Sequence, residues 1–177
     1  MTSSLVGSEM CIRDRLYITS LLWLTSCGDD NSVHLTPDKF IVSSWTTAFD
    51  NTFVLDKANA EEMLDTLRWT PADFGYDATI SYEVQVAVKE EDTSADDLTY
   101  VTLGTTNLNK YGVKVKDLNA ALLAAGAVKR RPTDFLMRIK ASISIAYQAL
   151  ISKNTEFNAT TFSTDPDLLY VIGDYNN

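Results

Sequence analysis

One cysteine stands directly after a short apolar run and two small residues. The run covers residues 16–24, Thr25 and Ser26 follow it, and Cys27 comes next. Small residues after an apolar run are typical of a site where an export leader is cleaved. A thiol at the new N-terminus can take a diacylglyceryl group as a thioether, and the freed amine can be acylated. Two or more acyl chains anchor a protein stably, whereas one does so only marginally. We therefore expect cleavage after Ser26 and lipid attachment at Cys27; a cysteine that lies there by chance is the alternative.

The leader that this site implies, residues 1–26, is unusual in its first half. Arg13 and Arg15 supply the positive charge that precedes the apolar run of an export signal. That run is far shorter than the ~20 residues that a transmembrane helix needs. Residues 1–15 also contain acidic residues where an export signal disfavours them, and they resemble translated sequencing-adapter sequence. We interpret residues 1–15 as an artefact; an ordinary, slightly long leader is the alternative.

The residues after the cysteine indicate a destination. Gly28, Asp29 and Asp30 form a short acidic stretch that resembles the tag directing lipoproteins of polysaccharide-degrading bacteria to the outer face of the outer membrane. The alternative is a polar, flexible tether, and residues 27–34 must act as a tether in either case. The sequence therefore predicts a protein held by outer-membrane lipid through Cys27 and exposed at the cell surface.

The composition argues against several classes of function. The formal net charge is −9, and nucleic-acid binding needs a basic face, so no nucleic-acid partner is expected. A single histidine, His34, cannot build a histidine-based triad or a multi-histidine metal site, and no glycine-rich phosphate loop occurs. The only other cysteine, Cys11, lies in the leader, so the mature chain can form no internal disulfide. We predict that the chain is not an enzyme and has no cofactor and no metal site.

Two charged clusters leave alternatives open. The acidic residues within 90–97 could bind calcium through carboxylate oxygens, but their spacing favours a solvated hairpin. The basic residues 129–131 could bind an anion, and a solvated loop before Pro132 is the interpretation we favour.

Apolar and polar residues alternate with period two over much of the chain. Residues 80–88 and 135–145 place an apolar side chain at nearly every second position, which is typical of half-buried strands. Turn-forming segments separate the shorter candidates. These shorter candidates are 39–43, 52–55, 63–70, 98–104, 110–115 and 155–162.

Residues 117–125 break with this pattern and predict a short helix. Leu118 and Leu122 are four residues apart, Asp117 suits the positive end of the helix dipole, and Gly126 follows where a C-cap glycine belongs. The elements together predict an all-β fold: an immunoglobulin/fibronectin type III-like antiparallel β-sandwich with one short helix.

We predict that this sandwich is a single domain over residues 35–165. Trp69 is expected to fill its core between the sheets, because a tryptophan within a strand pattern is more often buried than a sugar-stacking platform. The polar stretch 163–167 predicts a domain border. Residues 166–177 contain a new apolar run and are expected to be the truncated start of a second domain; a last strand of the first domain is the alternative.

With these residues assembled, the chain resembles the N-terminal region of SusE-type outer-membrane lipoproteins from starch-utilisation systems. The resemblance covers about residues 33–165, and its specificity lies in the order and spacing of several short pieces. These pieces are Phe53-Val54-Leu55, Ala58-Asn59-Ala60, the run 67–75, the strand 80–88, Leu103-Gly104-Thr105, the helix 118–126 and the strand 138–141. Residues 170–175 are similar to the opening of the starch-binding modules that follow in such proteins.

The resemblance implies a surface lipoprotein that binds starch or malto-oligosaccharides and works beside a β-barrel glycan importer. The family's sugar sites lie on the later modules, so no sugar-binding residue can be assigned in this chain. The implied role is that of the anchor and spacer domain. A structural or assembly module that docks on the importer without binding sugar is the alternative.

Overall fold

The computed structural model describes residues 39–47, 49 and 52–164. The chain divides into two compact units, Met1–His34 and Leu35–Asn177. The first unit lies outside the described residues, so the fold below is that of the second. Its elements are β1 (Trp45–Thr47), β2 (Thr52–Val54), a 3₁₀ turn (Lys57–Asn59), β3 (Met63–Trp69), β4 (Ser81–Val88), β5 (Val101–Thr106), β6 (Lys110–Lys114), α1 (Val115–Ala124), β7 (Pro132–Ser142), β8 (Leu150–Ile151) and β9 (Thr155–Thr160).

The strands form two sheets that pack face to face. The small sheet has the order β1-β3-β6, and the large sheet has the order β2-β9-β7-β4-β5 with β8 paired to β7. Every pairing is antiparallel except that of β2 with β9, which is parallel. The predicted all-β fold with one short α-helix is thus confirmed for the described residues, and an immunoglobulin/fibronectin type III-like arrangement is compatible with it.

The two strongest strand predictions are confirmed in β4 and β7. Tyr82, Val84 and Val86 of β4 are buried, as are their partners on β7. The end of the second predicted strand is wrong, however. β7 ends at Ser142, and Ile145 lies fully exposed in the loop beyond it, because the chain turns back there to form β8 against β7.

The N-terminal strand predictions need a second correction. Residues 39–43 form only an isolated bridge, Ile41 with Asp73, whereas the regular strand β1 lies in a stretch that shows no alternation. β1 exists because Trp45 and Thr47 pair with the end of β3. Its only large apolar side chain, Trp45, is half-buried and packs on the core.

The helix α1 begins two residues earlier than predicted. Its start has no side-chain cap; instead the backbone N–H groups of Val115 and Lys116 donate to the carbonyls of Glu62 and Ala60 at 3.1 and 2.9 Å. Backbone carbonyls thus satisfy donors that would otherwise lack partners at a helix start. At the other end Gly126 adopts a positive φ of 104°, which fits the predicted C-cap glycine.

The core lies between the sheets and is rich in aromatic rings. Trp69 of the small sheet is 3% exposed. Its ring lies 5.6 Å from that of Tyr82 on the large sheet and 5.9 Å, edge-on, from that of Trp45. Trp69 therefore joins the two sheets as predicted. A second aromatic cluster, Phe49, Phe53, Phe135 and Phe157, fills the core beside β9.

Candidate functional site

The residues that the sequence singles out for chemistry lie outside the described residues. These are Cys27 for lipid attachment, Gly28, Asp29 and Asp30 for export, and His34 in the tether. Their roles stay predictions. The described residues form the β-sandwich that follows this segment in the sequence.

The first described residues lie at one end of the sandwich, which we call the tether end. It consists of residues 39–44, the loop 70–80, the turn 107–109 and the loop 143–149. Ile41 exchanges both backbone hydrogen bonds with Asp73 at 2.8 and 2.9 Å. The backbone N–H of Ala72, in the same loop, donates to the Tyr82 hydroxyl at 3.1 Å. These bonds fix the incoming chain beside the start of β4.

The last described residues lie at the opposite end, which we call the helix end. It consists of residues 55–62, the loop 89–100, α1 with the turn 125–131, and residues 161–164. The register of β7 shows that the two ends are opposed: its first residue pairs with Thr160 of β9, and its last pairs with Ser81 at the start of β4. Residues 39–44 and 161–164 are therefore separated by about the length of β7.

Asn119 holds the outgoing chain at the helix end. It is fully buried, its Oδ1 accepts from the backbone N–H of Phe162 at 2.9 Å, and its Nδ2 donates to the Phe162 carbonyl at 3.2 Å. Sequence reasoning missed this role. The available signal was a polar residue on the apolar face of the helix, since Val115, Asn119 and Leu122 follow the spacing i, i+4, i+7.

Two open depressions lie at the tether end. One, of about 510 Å³, is lined by residues of the loop before β4, including Asp73, Tyr76 and Asp77. The other, of about 460 Å³, lies between β3, β6 and the end of β5 and includes Arg68, Lys110 and Tyr111. Both are open to solvent.

The outer face of the large sheet carries a polar network. Lys140 Nζ lies 3.1 Å from Glu83 Oε1, Gln85 Nε2 donates to Glu83 Oε2 at 3.1 Å, and Arg138 Nε donates to Gln85 Oε1 at 3.0 Å. The Arg138 guanidinium also lies 3.4 Å from the centre of the Tyr100 ring. These polar groups are partnered by one another, and the guanidinium covers one face of Tyr100.

The shifted pKa values of the described residues arise from surface ion pairs and one partly buried phenol. The hydrogen bond between Lys116 and Glu61 lowers the pKa of Glu61 and raises that of Lys116. A hydrogen bond to Glu156 raises the pKa of Lys89. Burial, and secondarily the negative charge of Asp117, raises the pKa of Tyr111. The first ion pair joins the turn before β3 to α1, and the second joins residue 89, just after β4, to β9.

The two charged clusters lie on the surface of the helix end. The acidic residues within 90–97 and the basic residues 129–131 are exposed. Among the described residues, no group of three or more histidine, cysteine, aspartate and glutamate side chains is arranged to hold a metal ion. In the same part of the chain, no helix is long and apolar enough to cross a membrane.

The described residues form a β-sandwich whose first segment, 39–44, and last segment, 161–164, lie at opposite ends. The sequence profile of the family described as SusE outer membrane protein matches residues 29–140, which is more than half of the chain. The chain therefore belongs to the SusE family, and the resemblance found in the sequence is confirmed. Membership makes it an outer-membrane protein of a starch-utilisation system. A comparison with curated proteins finds no match.

Proposed function

We propose that the chain is the anchor and spacer part of a surface lipoprotein that serves glycan uptake. Cys27 carries the lipid, Gly28, Asp29 and Asp30 direct the protein to the outer face of the outer membrane, and the sandwich holds the following segment away from the bilayer. Starch or malto-oligosaccharide is captured downstream of the sandwich rather than on it.

The observation that supports this proposal is that the first and last described segments, 39–44 and 161–164, lie at opposite ends of the sandwich. A spacer must receive the tether on one side and release the chain on the other. Ile41 is bonded beside the start of β4, whereas Phe162 is bonded to α1. At ~3.3 Å per residue, the eleven residues of β7 separate the two ends by roughly 35 Å.

Energy transfer to a membrane dye tests the spacer. One donor dye is attached at the helix end through Val128→Cys, and a second protein carries it at the tether end through Ile145→Cys; both positions are exposed. Both proteins carry Cys11→Ser and are purified with lipid on Cys27. The proposal predicts markedly weaker transfer from the helix-end dye. Equal transfer from both positions contradicts it.

A pull-down on insoluble starch tests where sugar is captured. The longer gene product, including whatever follows residue 177, should sediment with starch. The 177-residue chain should stay in solution. Most of its described aromatic rings are packed in or against the core, and Arg138 covers one face of Tyr100, so these rings are not available to stack on a sugar. Sedimentation of the 177-residue chain contradicts the spacer role.

Docking on an outer-membrane importer without any sugar binding is the second candidate. Apolar side chains exposed at the tether end, such as Tyr76 and Ile145, favour some contact there. Co-purification of the 177-residue chain with the importer, together with no starch binding by the longer gene product, would replace the first proposal by this one.

A further inference from the structure

Exposed apolar side chains are unevenly distributed between the two ends. Tyr76, Leu108, Ile145 and Tyr147 are between 43% and 106% exposed, and all lie in loops of the tether end. Ile41 and Val42, where the chain comes in, are exposed as well. The large exposed apolar residues of the helix end are fewer among the described residues: Val54, Met63 and Val128.

The topology brings the tether-end loops side by side. β7, β4 and β5 are neighbours in the large sheet, and the loop 143–149, the loop 70–80 and the turn 107–109 adjoin them at the same end. Tyr76, Leu108 and Ile145 therefore project from three adjacent loops. Solvent-exposed apolar groups gathered on one side of a domain mark a surface that contacts another phase or molecule.

Charge is distributed in the opposite sense. The helix end carries nine acidic residues, at positions 56, 61, 62, 90–92, 96, 97 and 117, against six basic ones, at 57, 89, 116 and 129–131. The described acidic residues of the tether end are Asp73 and Asp77, and its basic residue is Lys39. Arg68 and Lys110 adjoin this end on β3 and β6, and Glu83 on β4 is paired with Lys140 on β7. An anionic membrane surface therefore repels the helix end more strongly than the tether end.

The tether limits how far this end can stand from an anchored lipid. Eleven residues separate Cys27 from Lys39, and the twelve steps between these two residues, at ~3.5 Å each, reach at most about 40 Å. Lipid on Cys27 would thus hold the tether end at a high effective concentration near the bilayer. Contacts too weak to recruit a free protein can then persist.

We propose that the tether end rests on the bilayer, with Tyr76, Leu108, Ile145 and Tyr147 seated in the lipid headgroup region. Tyrosine is favoured at that depth because its ring is apolar and its hydroxyl is polar. The inference rests on the proposed anchor at Cys27. It adds that the spacer stands with a defined orientation and presents its helix end to the medium.

Depth-dependent quenching of an added tryptophan tests this contact. The full chain with Cys11→Ser is coupled through the thiol of Cys27 to a maleimide lipid in vesicles of phosphatidylcholine and phosphatidylglycerol. One variant carries Ile145→Trp at the tether end, and the matched control carries Val128→Trp at the helix end. The spectrum of the parent protein supplies the background of its native tryptophans. We expect brominated phospholipid to quench most of the emission added by Ile145→Trp and to leave that added by Val128→Trp unchanged.

Two outcomes overturn the proposal. In the first, the tryptophan of Ile145→Trp is not quenched and emits at the wavelength of a water-exposed tryptophan. The tether end then does not contact the bilayer, and a protein partner such as the importer is its occupant instead. Equal quenching of both variants means that the sandwich has no preferred orientation. Because the coupling is chemical, either outcome is independent of whether the bacterium lipidates Cys27. Unchanged urea midpoints of both variants verify that these exposed positions tolerate tryptophan.

Discussion

The side-chain amide of Asn119 forms two hydrogen bonds with the backbone of Phe162, one as acceptor and one as donor, as a backbone peptide group would. Oδ1 accepts from the Phe162 N–H at 2.9 Å and Nδ2 donates to the Phe162 carbonyl at 3.2 Å. Asn119 is fully buried in α1, so the helix and the outgoing chain are held as one unit. This pairing fixes residue 162 against α1 at the helix end.

Asn119→Ala should destabilise the domain markedly. It leaves the N–H and the carbonyl of Phe162 without their partner in a part-buried site, which costs about 2–4 kcal/mol of unfolding free energy. Urea denaturation followed by tryptophan fluorescence measures the loss. Asn107→Ala, in the exposed turn 107–109, is the matched control and should change the midpoint little. Equal effects of the two substitutions would mean that Asn119 does not clamp the chain.

Gly104→Ala should also destabilise the domain, because the Tyr111 ring lies where a side chain would start. A Cβ at residue 104 would overlap the ring and hydroxyl of Tyr111. Overpacking of this kind costs about 1–3 kcal/mol. Gly112→Ala is the control: its Cβ would meet only the flexible end of Met63, at 3.1 Å, and should cost less.

A double-mutant cycle isolates the contact between residues 104 and 111. In a Tyr111→Ala background, Gly104→Ala should cost less than it does in the unmodified protein, since the ring that it overlaps is gone. If the changes in unfolding free energy of the two substitutions are strictly additive, the overlap with the Tyr111 ring is relieved in another way.

Tyr111→Phe should protect the domain in alkaline solution. Burial and Asp117 hold the pKa of Tyr111 above its usual value of about 10. The folded state therefore keeps the phenol protonated more tightly than the unfolded state does. The resulting stability is complete below pH 10 and is lost as pH rises through the folded pKa. Removing the hydroxyl should flatten the fall in the unfolding midpoint above pH 10 while leaving it nearly unchanged at pH 7. An equally steep fall in the variant would rule out Tyr111 as its source.

Local pattern predicted much of this fold because it reflects local geometry. Alternation located β4 and β7 since each strand buries one face against the small sheet, and the spacing of Leu118 and Leu122 located α1. The prediction for Ile145 failed because alternation cannot show where a chain turns back. β1 escaped notice since it has one large apolar side chain, Trp45, rather than an alternating run.

Local sequence patterns could not predict contacts between residues that lie far apart in the chain. The parallel pairing of β2 with β9 joins Phe53 to Ala159, and nothing within either short segment encodes its partner or its direction. The same is true of the bonds between Asn119 and Phe162, and hence of the position of residues 161–164 at the helix end. The candidate anchor at Cys27 is the reverse case, since its chemistry is legible in a few consecutive residues and lies outside the described part of the chain.

Fatty-acid labelling of cysteine variants tests the account most directly. The chain is produced in a bacterium that makes outer-membrane lipoproteins, grown with an alkyne-bearing fatty acid, and fractionated. The unmodified chain and Cys11→Ser should both carry the label and sediment with the outer membrane, whereas Cys27→Ser should lose the label and be recovered in the soluble fraction. Label retained by Cys27→Ser, or lost in Cys11→Ser, would contradict the assignment of Cys27 as the anchor.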